Sequence, residues 1–202
     1  MKKHHHTVIV LIRIFLGLIF FGAGMSKLYF EHNFPGVIGP VWLEERLAEH
    51  GLGFYARFIA GSQVVAGLML LTQRFATLGA ILTFPILLNI FMVTVSLQWQ
   101  GTPYINAFLL MLNTWLLVYD YHKLKFILTD KPAELKSISL KRISLSADFI
   151  WLVAVTGILG SIPLSFVNLN MAWGLCVLMV LLIVWNQLRR KEENYRGERN
   201  IH

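Results

Sequence analysis

Ionisable and amide side chains set within apolar runs are where this sequence can do chemistry. In "RIFLGLIFFGAGMSKL", residues 13–28, Arg13 and Lys27 flank a run broken by Gly17, Gly22 and Gly24. A charge in such a run is costly and needs a partner or a polar surface. The two lie fourteen residues apart, about 21 Å along a helix, so they serve different sites. Positions 13, 17, 20, 24 and 27 share one helical face. Glycines on that face let a second helix come close, so Arg13, Gly17, Gly24 and Lys27 are expected to face protein.

A second series is Asn106, Asn113 and Asp120, spaced by seven and therefore on one helical face. Asp120 falls at the depth of Arg13 or Arg74, and an Arg13–Asp120 pair would lower the cost of a charge in lipid. Asn113 lies mid-span and needs a partner, for which Gln63 and Asn89 are the expected residues. At the other end, Lys27, Arg57, Gln98 and Asn106 close the first four apolar runs and would surround one outer mouth, with Glu31 and His32 in reach. Lys27, Arg57 and Gln63 are the residues expected to contact a polar headgroup there, and such a mouth suits an anionic or quinone-like one. The histidines have no HxxxH or HxxE spacing, and His4-His5-His6 stands without other ligands, so no metal site is expected.

The elements that must position these residues follow from composition. The chain has 202 residues, 56% hydrophobic and 14% charged, against about 25% charged in soluble domains. Six runs are long enough to cross a bilayer of about 30 Å: 7–28, 54–73, 75–97, 104–122, 147–166 and 169–188. The fold class read from them is an all-α integral membrane protein with six transmembrane helices. Strand-like alternation is absent, which argues against a barrel. If the runs alternate across the membrane, 14 of the 18 basic residues fall on one side. By the positive-inside rule both termini are then cytoplasmic, and the net charge of +7 belongs to a membrane inner face and not to a nucleic-acid partner. The first run exceeds a signal-peptide core and carries Arg13, so it is read as a retained helix.

Trp42, Trp99, Tyr104, Tyr119 and Tyr121 stand near run ends, where aromatic anchors collect. "GPVWLEERLAEHG" reads as a short amphipathic helix on the outer membrane surface. Pro85 is expected to kink the third run. Cys176, the single cysteine, reads as a small apolar core residue. The expected organisation is a four-helix bundle over 1–122, a basic linker at 123–146, two further helices over 147–188 and a basic tail at 189–202.

The stretches "RIFLGLIFFGAGMSKL" and "QVVAGLMLLTQRFATLGAIL" resemble the first two helices of the DoxX family of small bacterial membrane proteins. Arg13, Gly17, Gly24 and Lys27 fill the first motif, and Gly67 and Arg74 the second, with the likeness covering roughly 7–125. Many relatives have an acidic residue where Gln63 stands here. The resemblance implies a four-helix bundle in the bacterial inner membrane, linked with redox complexes, quinone as a ligand, and either a membrane redox partner or a second copy as a partner beside lipid. The dithiol, in-span histidine pair and Rossmann glycine motif of a self-sufficient oxidoreductase are missing. The function expected is therefore an accessory or quinone-interacting subunit of a membrane redox system. The alternatives are an assembly or interaction protein, and a small transporter, against which stands the lack of an inverted repeat.

Overall fold

The computed structural model describes residues 2–36, 43–128 and 145–199, the side chains of 2–4, 43–44, 126–128, 145–147 and 190–199 excepted. Among these residues the regular structure is helical. In chain order the helices are α1 (Lys2–Leu28), α2 (Leu43–Ala48), α3 (Gly53–Leu71), α4 (Ala76–Ser96), α5 (Thr102–Tyr119), α6 (Tyr121–Leu128), α7 (Leu145–Ser165) and α8 (Leu169–Arg199), with a single tight turn at Phe30–His32. Each expected run lies on one of them.

Among the described residues five helices are long and apolar enough to cross a membrane: His5–Leu28, Gly53–Leu71, Ala76–Ser96, Asp148–Ser165 and Leu169–Arg189. The sixth expected span, 104–122, corresponds to α5 and is not among them. Asn106 and Asn113, with Tyr104 and Trp115, dilute its apolar content. Pro40 and Trp42 of the amphipathic segment and most of the 123–146 linker lie outside the described residues. The part of that linker that is described begins as α6.

The chain divides into two compact units, Met1–Pro132 and Ala133–His202. In the first, α1 packs on α3, α3 on α4, α4 on α5, and α5 returns to α1, while α2 rests on α3. The four long helices thus form a closed ring, with Leu16, Phe20, Leu70, Leu87, Leu109 and Leu116 at its centre. The outward side chains are also apolar, among them Leu11, Phe15, Phe58, Met92, Phe108 and Trp115. Buried Arg13, Lys27 and Asp120 lie inside. Polar groups inside and apolar groups outside is the arrangement that lipid as solvent requires.

The tightest seam is between α1 and α3. A Cβ at Gly67 would stand 2.5 Å from the Phe21 backbone nitrogen, and one at Gly24 would stand 2.6 Å from the Ala60 carbonyl oxygen. A Cβ at Gly17 would stand 2.8 Å from the Leu71 side chain. Backbone meets backbone at this crossing, as small residues permit between membrane helices. After α1, Glu31 and His32 take positive φ values of 47° and 57°. Their turn folds the chain back, so that Phe34 packs edge-on against Phe21 and Tyr29.

The second unit is the α7–α8 hairpin. Met179 fills the space beside Gly157, and Asn168 caps α8 by accepting the Met171 amide at 3.1 Å. Cys176 is buried. Ser161 and Ser165 satisfy their hydroxyls on carbonyls one turn back within α7.

Candidate functional site

The polar groups of the ring gather at its two ends, joined by the α1 stripe of Arg13, Gly17, Phe20, Gly24 and Lys27, all buried. At the Arg13 end, the Arg13 guanidinium pairs with the Asp120 carboxylate. Thr77 donates its hydroxyl to the same carboxylate oxygen at 2.9 Å. Lys123, one turn beyond on α6, reaches the other oxygen at 2.9 Å. Gln73 accepts a second Arg13 N–H at 3.4 Å. Asp120 therefore ties together α1, α4 and α6 from the end of α5. Thr77 and Lys123 on Asp120, and Gln73 on Arg13, were not singled out in the sequence. The i,i+3 spacing of Asp120 and Lys123 was the available signal for Lys123.

At mid-height Asn113, fully buried, donates to the Ala80 carbonyl at 3.0 Å. This corrects the expectation that Gln63 or Asn89 would hold it. The carbonyl that Pro85 leaves without a backbone donor is that of Ile81, next to Ala80. With Pro85 inside it, α4 continues unbroken from Ala76 to Ser96.

At the Lys27 end the ring opens into a cavity of about 250 Å³. Phe20, Leu87 and Leu109 form its apolar floor. Lys27 from α1, Gln63 from α3, Thr94 from α4 and Asn106 from α5 carry its polar groups, with Trp99 and Thr102 beside them. The Lys27 ammonium donates to the Gln63 side-chain oxygen at 3.1 Å. Asn106 donates to the Thr94 hydroxyl at 3.4 Å, and that hydroxyl donates to the Phe91 carbonyl at 2.9 Å. On its other side Lys27 borders a cleft of about 20 Å³ with Leu47 of α2, Tyr55 and Asn89, space for roughly one water-sized group.

Lys27, Gln63 and Asn106 are thus brought together, and Arg57 and Gln98 are not. Arg57 is exposed on α3, six residues before Gln63 and so about a third of a turn away round the helix. Gln98 is exposed in the turn after α4, with a φ of 53°. Glu31 and His32 do not line the cavity either; His32 Nδ1 instead contacts the Ser26 carbonyl oxygen at 3.0 Å. Trp99, expected as an interfacial anchor, lines the cavity. The described residues hold no cluster of metal-ligating side chains.

These features define a helical, multi-pass membrane protein with a polar-rimmed cavity inside one bundle. Residues 8–96 match the model of the DoxX family. The match takes in α1, α3 and α4 and ends before α5. No curated protein and no solved structure matches the chain.

Proposed function

We propose that the DoxX-type bundle is the ligand-holding, accessory part of a membrane redox system, taking a quinone-like headgroup into the cavity at the Lys27 end. The observation that carries this is the Lys27–Gln63 pair at the rim of an otherwise apolar cavity of about 250 Å³. Hydrogen-bond donors above an apolar floor are what an amphipathic ligand with oxygen acceptors requires. The same reading has the chain cross the bacterial inner membrane six times, with both termini cytoplasmic and the cavity toward the outer face. The place of α5 in the ring between α4 and α1 and the 14 of 18 basic residues on one side support six crossings. A membrane redox partner would supply or take the electrons.

The test is binding by the purified full chain. Quinone is expected in the organic extract of protein taken from native membranes. A soluble quinone analogue should bind saturably, and Lys27→Met should weaken it by roughly tenfold or more. An extract without quinone, together with no saturable binding, would overturn the reading.

A further inference from the structure

We propose that the cavity between α1, α3, α4 and α5 selects an anion: a singly charged carboxylate or comparable oxyanion, carried on a compact apolar body. This rests on the reading that the cavity receives a polar headgroup on an apolar body, and goes further: an anionic headgroup is held more tightly there than a neutral one such as a quinone.

Lys27 is 8% exposed, and its hydrogen-bond partner is the neutral oxygen of Gln63. Among the described residues no carboxylate lies within ion-pair distance of its Nζ. The contrast is with Arg13, equally buried but paired with Asp120. A buried ammonium without opposite charge is costly, and an anion entering the cavity removes that cost.

Two further features point the same way. Gln63 is 4% exposed, and with its oxygen committed to Lys27, its amide N–H groups have no partner among the described residues. The first turn of α5 also borders the cavity through Thr102, Ile105 and Asn106. Pro103 there has no N–H, and the Tyr104 and Ile105 amides donate to the Gly101 carbonyl, so this end contributes the positive end of the helix dipole. No aspartate or glutamate is among the described lining residues. Donors and positive charge thus converge without a carboxylate to compete. The volume sets the scale of the apolar body: a cavity of about 150 Å³ holds benzene, so about 250 Å³ accommodates a single ring bearing a carboxylate.

Benzoate and benzamide are matched in size and differ in charge, so they isolate the claim. Calorimetric titration of the detergent-solubilised full chain should give benzoate roughly tenfold or more tighter binding than benzamide. Lys27→Met should bring the two within about twofold, whereas Arg57→Ala should keep the preference. If Lys27→Met is not recovered folded, Lys27→Gln carries the same expectation, and the wild-type preference tests the charge on its own. Equal binding of the two probes, or a preference that survives loss of the ammonium, would overturn the proposal. If a quinone analogue binds while benzoate is no better than benzamide, the charge assignment alone falls. If no probe binds, the cavity is not a ligand site and both readings fall.

Discussion

Asp120 accepts from Arg13, Thr77 and Lys123, so the cost of burying its charge is met from three directions. Removing Arg13 leaves the carboxylate buried with Lys123 and Thr77 alone. Breaking a buried pair by deleting one partner costs about 3–5 kcal/mol, and the remaining partners place Arg13→Leu at the lower end, about 3 kcal/mol. The expected outcome is a lower unfolding temperature and less folded protein after extraction. The double change Arg13→Leu, Asp120→Leu should recover part of that loss, since no charge is then stranded. A stability equal to wild type in Arg13→Leu would mean the guanidinium escapes to the headgroups instead. Asn113 differs in kind. Its amide nitrogen is used but its buried oxygen has no hydrogen-bond partner among the described residues, so Asn113→Leu loses one bond and one unmet acceptor together. Its effect should stay at about 1 kcal/mol or below, near the average for hydrogen bonds between membrane helices, as read from thermal unfolding in detergent.

At the scale of elements, the α1–α3 crossing depends on absent side chains. A Cβ at Gly67 would meet the backbone of Phe21, which cannot swing aside as a side chain can. Gly67→Ala should therefore cost about 1–3 kcal/mol, the usual range for overpacking. Gly61 lies on the same helix with nothing within 4 Å of an added Cβ. Gly61→Ala should be neutral or slightly stabilising, because alanine is the better helix former. Comparing the two unfolding temperatures separates packing from helix propensity. The glycine spacing made this crossing legible in the sequence. The partner of Asn113 was not, because it is a backbone carbonyl, and every residue carries one. The exclusion of Arg57 and Gln98 was likewise out of reach: both stand at helix ends, and only the rotation of α3 and the left-handed turn at Gln98 keep them from the cavity.

For the whole molecule the open quantity is the number of crossings, because α5 is not among the five helices apolar enough to count by composition. Six crossings put both termini on one side, and five would put them on opposite sides. With Cys176 as the single cysteine, a Cys176→Ala background allows Lys3→Cys and His202→Cys to be labelled one at a time in sealed vesicles. Labelling of both from the cytoplasmic face is the expected result, and labelling from opposite faces would exclude six crossings. The asparagines that lower the hydropathy of α5 are turned into the ring, where Asn106 and Asn113 are buried. An inward polar stripe depresses an average taken around the whole helix while leaving the lipid-facing side apolar.

Period and composition determined the helical class, the limits of the middle helices to within a few residues, and the face of α1 that meets protein, because these are local properties of the chain; α8 runs on to Arg199, past the apolar run that ends at 188. The spacing of Asn106, Asn113 and Asp120 marked a buried stripe for the same reason. Which groups meet across helices was decided by the tertiary structure alone, because it depends on the rotation and depth of each helix against its neighbours. That assembly gave Arg13 a carboxylate and gave Lys27 an amide. Two cations of one helical face thereby became an internal tie at one end of the bundle and the rim of a cavity at the other.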